Sequence, residues 1–82
     1  MQEIHVRLFA HFREALQSDQ LLLACSPPVT LRSLRAVMMD RFPELKNLIR
    51  LSAWAVNEEY AEDDRVISTS DEIALLPPVS GG

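Results

Sequence analysis

Hydrophobic positions recur along this chain with two periods, and the period changes from segment to segment. Residues 3–9 alternate, with Ile4, Val6 and Leu8 on one face and His5, Arg7 and Phe9 on the other. A period of two predicts a strand with one buried face. From Ala10 to Leu16 the pair Phe12 and Leu16 falls at helical spacing before Gln17-Ser18-Asp19, which predicts one or two helical turns and a loop. Leu21 to Cys25 predicts a second strand, ended by Ser26-Pro27-Pro28. Thr30 is a candidate N-cap for the strongest amphipathic segment. There Leu31, Leu34, Val37, Met38 and Phe42 form a stripe, Arg32, Arg35, Asp40 and Arg41 fall mostly off it, and Pro43 ends it. Glu44 to Arg50 reads as an irregular turn that carries Leu45, Leu48 and Ile49 inward.

In the second half, Leu51 to Val56 predicts a third strand. Ala53, Trp54, Ala55 and Val56 are all apolar, the pattern of a central strand with both faces covered. Asn57-Glu58-Glu59 predicts a turn, because Asn tolerates the left-handed conformation. Tyr60-Ala61 is a short return strand, Glu62-Asp63-Asp64 an acidic loop, and Val66-Ile67 leads to a turn at Ser68 to Asp71. Glu72 to Leu76 is the last strand, with Ile73 and Leu75 opposed to Ala74 and Leu76, and Pro77-Pro78 stop it. The order is an α+β one, with about four or five strands and one main helix packed on one sheet face. The pairing of the last strand is left open. If Ile4, Val6, Leu8, Ile73 and Leu75 face the helix, then Phe9 and Leu76 lie on the opposite face, with Tyr60 near them. An apolar cluster on that face is a candidate docking surface.

Size and charge narrow the functional classes. Eighty-two residues fit one small domain, with 48% hydrophobic and 24% charged residues. Such a chain has little room for both a core and a buried catalytic cavity, so function is expected at the surface or at an end. The net charge of −4 gives no basic cluster to displace counterions from phosphates, so no nucleic-acid partner is expected. Residues 1–7 lack the apolar stretch of a signal peptide, and no run approaches a membrane span. A cytoplasmic location without a membrane partner is the expectation. Cys25 is the single cysteine, and its apolar neighbours make it a buried hydrophobe rather than a nucleophile. His5 and His11 have no companions at metal-ligand spacing, so no metal site is expected. Glu58, Glu59, Glu62, Asp63, Asp64, Asp71 and Glu72 read as a solvated face that could oppose a basic rim on a partner.

The glycines add a different signal. There are two, Gly81 and Gly82, where average usage would scatter roughly six along such a chain. Two residues without side chains make a slender tip that can lie flush against another surface. Before them, Pro77 and Pro78 fix φ and favour an extended exit. From Pro77 to Gly82 an extended segment would reach on the order of 19 Å. A carboxylate at its tip becomes an electrophile once ATP converts it to an acyl-adenylate, and a sulfur nucleophile can then leave a thiocarboxylate.

The run Asp71-Glu72-Ile73-Ala74-Leu75-Leu76-Pro77-Pro78-Val79-Ser80-Gly81-Gly82 resembles the ending of the molybdopterin synthase small subunits, ubiquitin-like sulfur carriers of the MoaD/ThiS type. Leu8-Phe9-Ala10 followed by Arg13-Glu14, Arg41-Phe42-Pro43-Glu44-Leu45, and Ala55-Val56-Asn57-Glu58-Glu59-Tyr60 agree with it. The resemblance implies an α+β, β-grasp domain over residues 1–82, a mixed sheet of four to five strands with one main helix, with 76–82 as an exposed, flexible tail. It implies that an E1-like adenylating enzyme consumes ATP to activate Gly82, and that a sulfur donor protein converts Gly82 to a thiocarboxylate. The tail would then enter the large synthase subunit, in a heterotetramer, and give sulfur to cyclic pyranopterin monophosphate. Gly82 would be the reacting group and this chain would hold no cofactor. Gly81, Ser80, Val79, Pro78, Pro77, Leu76, Phe9 and Tyr60 would contact partners, and catalytic side chains would belong to the large subunit. A thiamine-pathway carrier, a protein modifier and a plain interaction module remain as alternatives. Ser70 stands where the family usually has glycine before Asp-Glu. A left-handed Ser70 would cost roughly 1 kcal/mol, unless the turn has another shape.

Overall fold

Seven strands and three helices follow one another in the computed structural model, which describes residues 1–78. Strand β1 (Gln2–Leu8) leads through α1 (Ala10–Leu16) to β2 (Gln20–Cys25). A short β3 (Val29–Thr30) precedes the main helix α2 (Leu31–Arg41), then come a 3₁₀ turn (Pro43–Leu45) and α3 (Lys46–Leu51). The chain closes with β4 (Ala53–Val56), β5 (Glu59–Ala61), β6 (Val66–Ile67) and β7 (Ile73–Leu76). Five strands form one mixed sheet in the order β2-β1-β7-β4-β5. The last strand therefore lies in the middle, parallel to β1 and antiparallel to β4. That settles the pairing left open by the sequence. It also places the outgoing end of β7 at the sheet's centre rather than at an edge.

The alternation read in β1 and β7 holds. Ile4, Val6, Leu8, Ile73 and Leu75 are buried under α2, together with Leu23, Cys25, Trp54 and Val56 from the neighbouring strands. Helix α2 contributes Leu31, Leu34 and Met38 to that core, and α1 contributes Phe12. Thr30 caps α2 as expected: its hydroxyl accepts from the Ser33 N–H at 3.2 Å, while the Ser33 hydroxyl accepts from the Thr30 N–H at 2.9 Å. This reciprocal capping box satisfies two donors that would otherwise be orphaned. Cys25 is buried as expected, and burial pushes its thiol pKa up.

Three expectations are corrected. Glu44 to Arg50 is not an irregular turn, because Pro43 opens a 3₁₀ turn and α3 continues to Leu51. Leu45, Leu48 and Ile49 do point inward, spaced three and four apart on one helical stripe, with Ile49 fully buried. The third strand begins at Ala53 rather than Leu51, and only one of its faces is covered. Trp54 and Val56 are buried, whereas Ala53 is exposed and Ala55 half-buried. Small residues, not a second layer, explain the apolar run there. Finally, Leu76 belongs to β7, paired with Ala53, so the segment leaving the sheet starts at Pro77. The structure also adds a small second sheet, β3 with β6, that the sequence reading did not contain.

Making turns without glycine strains the backbone, though not at Ser70. The positive-φ residues among those described are Ala10 (50°), Gln17 (53°), Asn57 (52°) and Glu58 (70°). Ser70 adopts an ordinary φ. Its hydroxyl lies 3.0 Å from that of Ser68, while Asp71 accepts from the Ser68 N–H at 2.8 Å. The turn thus has another shape, held by side chains. Asn57 and Glu58 form a two-residue connection between β4 and β5 with both residues left-handed, the type I′ arrangement that favours Asn-Gly. Glu58 occupies the glycine position. Glu58→Gly is expected to stabilise the fold by about 0.5–1 kcal/mol, the relief of strain exceeding the extra chain entropy. A calorimetric Tm should rise by roughly 2–8 °C.

Candidate functional site

On the face of the sheet away from α2, alternation brings the other half of each strand together. Arg7 is paired with Ala74, Ala74 with Ala55, and Ala55 with Tyr60. Two alanines in the middle of this row leave a low floor. Phe9, Leu76 and Tyr60 stand around it with Arg7, Glu58 and Glu72, enclosing an open concavity of about 320 Å³. Phe9 is 36% exposed and Tyr60 79% exposed, while Leu76 is half-buried. The three residues expected to cluster from the strand pattern do line one surface.

Polar contacts fix the shape of this surface. Arg7 donates to Glu72 Oε1 at 3.1 Å, and its guanidinium carbon sits 5.6 Å from the centre of the Phe9 ring. Both charged side chains are largely solvated, so the ion pair itself contributes little stability. Its effect is to hold a cation against the ring face. The rim near the β4–β5 turn is tied to the start of β7. Asn57 donates its amide to Asp71 Oδ1 at 3.0 Å and accepts from the Glu72 N–H at 2.9 Å, and the Asn57 N–H donates to the Glu72 carbonyl at 2.8 Å. The Ser68 N–H, with help from the Asn57 amide, holds the Asp71 carboxyl below the usual aspartate range. Asn57 and Asp71 are thus turn-fixing residues, a role the sequence reading gave to Asn57 only through its backbone.

The tail leaves from this same surface. In the parallel β1–β7 pair, Leu8 lies beside Leu75, so the next residue of each strand, Phe9 and Leu76, ends at the same edge of the concavity. Pro77 is half-buried and Pro78 exposed. Val79, Ser80, Gly81 and Gly82, which carry the expected chemistry, lie outside the described residues. Sequence reasoning missed Leu51, which is 64% exposed at the end of α3, two residues before the Ala53 that pairs with Leu76. Its assignment to a strand hid it. No side chain of the concavity forms a nucleophile–base pair, and the surface has the chemistry of a docking site: apolar walls, a small-residue floor and a charged rim.

A mixed sheet with a central last strand, one main helix across it and a chain end leaving from the open face is a β-grasp, ubiquitin-like domain. The structure superimposes on a molybdopterin converting factor subunit 1 from Pyrococcus furiosus with a TM-score of 0.82 at 22% identity, over 96% of this chain and 100% of that one. The chain belongs to the ThiS family, which it matches over residues 6–82. It is 35% identical over 80 residues to a molybdopterin synthase sulfur carrier subunit of Arabidopsis thaliana, covering 98% of this chain and 83% of that protein. It is also similar to a chain in the protein–protein complex of subunits 1 and 2 of molybdopterin-converting factor from Helicobacter pylori. That match has 26% identity and a TM-score of 0.67, over 99% of this chain and 100% of the other.

Proposed function

We propose that this chain is the sulfur-carrying small subunit of a molybdopterin synthase. The observation that carries the reading is the coincidence of two features at one place: the apolar concavity and the root of the tail. A partner docked on Phe9, Tyr60 and Leu76 necessarily lies beside the point where Pro77 and Pro78 lead the chain away. The likeness to a sulfur carrier subunit over nearly the full length gives that geometry its chemistry.

In this reading an E1-like enzyme first binds the concavity. The Gly82 carboxylate attacks the α-phosphorus of ATP, displacing pyrophosphate and forming an acyl-adenylate. A persulfide on a donor protein then displaces AMP to give an acyl disulfide, and a second thiol attacks the donor's sulfur, forming a disulfide with it and releasing a thiocarboxylate on Gly82. The large synthase subunit next occupies the same concavity and receives Gly81 and Gly82. There the thiocarboxylate sulfur attacks cyclic pyranopterin monophosphate, and water cleaves the resulting thioester, leaving the sulfur on the pterin and a carboxylate on Gly82. This chain supplies the carried atom and the docking surface, and the partners supply catalytic groups. No cofactor resides on the chain, and ATP is used only by the activating enzyme.

The test is an intact-mass measurement after incubation with a competent activating enzyme, ATP and a sulfur donor. Exchange of one oxygen for sulfur at the C-terminus is the expected result. Persistent absence of exchange overturns the reading, and conjugates linked through lysine point to a protein modifier instead. The docking half of the proposal has its own test. Phe9→Asp is expected to weaken binding to the large subunit by about 10- to 100-fold, as loss of a central aromatic contact does. Circular dichroism should be unchanged, because Phe9 lies outside the core. Unaltered affinity would remove Phe9 from the interface.

A further inference from the structure

The outer edge of β2 has the features of a pairing surface. It borders the five-stranded sheet on one side, while the opposite border, β5, is three residues long and begins with Glu59. Strand β2 is six residues long, Gln20-Leu21-Leu22-Leu23-Ala24-Cys25, with no charge and no proline. It pairs with β1 in unbroken register over its whole length, so no bulge twists its edge away. Soluble proteins usually blunt such an edge with lysine, proline, a bulge or a covering loop, and β2 itself supplies none of the first three.

Among the described residues, the hydrogen bonds show which backbone groups of β2 have no partner. The Leu8 N–H donates to the Asp19 carbonyl at 2.9 Å. With a period of two, Leu8, Val6, Ile4 and Gln2 turn their backbone groups toward β2, where they meet Leu21, Leu23 and Cys25. The alternate residues of β2 therefore turn outward. At Gln20 the outward groups are already used: its N–H donates to Ser18 Oγ at 3.3 Å, and its carbonyl accepts from that hydroxyl at 2.7 Å. Ser18 closes one end of the edge and leaves a window at Leu22 and Ala24. Their side chains also share the open face, where Leu22 is 43% exposed.

We propose that a second copy of this chain fills this window, antiparallel, about a two-fold axis at Leu23. The window is self-complementary in one register. With Leu23 facing Leu23, Leu22 of each protomer lies opposite Ala24 of the other, and these are the residues with free groups. Four backbone hydrogen bonds form, and the Gln20 groups held by Ser18 are not needed. Leu21 then faces Cys25, so every facing pair from Leu21 to Cys25 is apolar and no like charges meet. A register centred on Leu22 would instead place Gln20 opposite Ala24 and require the blocked groups. The two-fold runs perpendicular to the sheet, so both concavities stay on one exposed face. The two β7 strands stand five strand spacings apart, about 24 Å, and both tails remain accessible. The association is weak, since two paired strands bury less than a standard interface, and the −4 charge on each chain opposes it at low salt.

The test uses the full-length chain by itself in a concentration series followed by amide NMR at moderate ionic strength, with sedimentation velocity alongside. Concentration-dependent shifts of the Leu22 and Ala24 amides, and a rise in sedimentation coefficient, are the expected results. Leu22→Lys, which puts a charge on an exposed position of the edge, should weaken association at least about tenfold. Ala24→Pro, which removes one of the two free N–H groups, should do the same, and Glu59→Lys on the opposite edge should not. Far-ultraviolet dichroism reports whether each variant remains folded. A chain that stays monomeric at millimolar concentration, shifts that map away from β2, or protection of Leu22 and Ala24 only when a different protein is added would each overturn the proposal. The sulfur-carrier reading stands or falls separately on the mass measurement.

Discussion

Removing Gly82, or adding one residue after it, is expected to abolish sulfur transfer while leaving the domain folded. Single-turnover transfer with the large subunit should fall to background, and the thermal unfolding curve should superimpose on that of the parent chain. The separation follows from where the core ends. Among the described residues the buried set runs from Ile4 to Leu75. The last ladder pairing of β7 is Leu76 with Ala53. Pro77 is half-buried and Pro78 exposed, so the described packing ends ahead of residue 82. The effect on chemistry is expected to be all-or-none because, in the proposed reading, the carried atom is bonded to that residue. An added residue would move the reacting carbon by about one residue length, roughly 3 Å in an extended chain, and misplacement by as little as 1 Å can cost about 100-fold. Transfer that survived either change would show that the carboxyl of Gly82 is not the carrier. Phe9→Asp is the complementary variant: it leaves the carrier group intact and acts on docking, so its defect should be relieved by raising the concentration of large subunit.

Much of this architecture can be read in the residues. The alternation of Ile4, Val6 and Leu8 against His5, Arg7 and Phe9 survives intact, because a buried face leaves a strand no freedom to slip by one residue. The same constraint brought Phe9, Tyr60 and Leu76 to one surface before any pairing was known. What could not be read has equally physical causes. The central position of β7 depends on a parallel pairing with β1 across more than sixty residues, and no local pattern encodes it. Helix α3 has six residues, too few for the 3.6 period to separate it from a turn. Strand β4 looked covered on both faces because alanine is apolar wherever it lies. At Ala55, beside Ala74, it keeps the floor of the concavity low. Ser70 looked strained by comparison with glycine-bearing relatives, yet Asp71 and Ser68 hold a turn that needs no left-handed residue there. The strain lies at Glu58, which the sequence places only in an unspecified turn.

Arg35→Ala is expected to lower stability by about 3 kcal/mol, a large effect for a polar side chain outside the apolar core. In the sequence Arg35 is one of several basic residues off the apolar stripe of α2. In the structure its side chain is 13% exposed and joins three elements. Nη1 donates to the carbonyls of Ile49 at 2.6 Å, Arg50 at 3.3 Å and Ser52 at 3.0 Å, while Nη2 meets Asp63 Oδ1 at 3.0 Å. The guanidinium carbon also lies 5.5 Å from the centre of the buried Trp54 ring. The C-terminal carbonyls of α3 have no partners within their own helix, and Arg35 provides a charged cap for them. Alanine would leave those carbonyls without that cap, and a chain of this size has only roughly 4–12 kcal/mol of stability in all. The Tm should fall by roughly 12–24 °C. Two variants separate the contributions. Asp63→Asn should cost less than about 1 kcal/mol, because that carboxylate is 41% exposed and the pair is partly screened. Arg35→Lys keeps the charge without the planar fork, so it should recover only part of the loss. If Asp63→Asn matched Arg35→Ala, the ion pair rather than the helix cap would be the source of stability. The consequence reaches the tail, since Ser52 immediately precedes β4 and Ala53 pairs with Leu76. Loosening the Arg35 clamp frees the end of α3 and the first residue of β4 together, and with them the support beneath the point where Pro77 leaves the sheet.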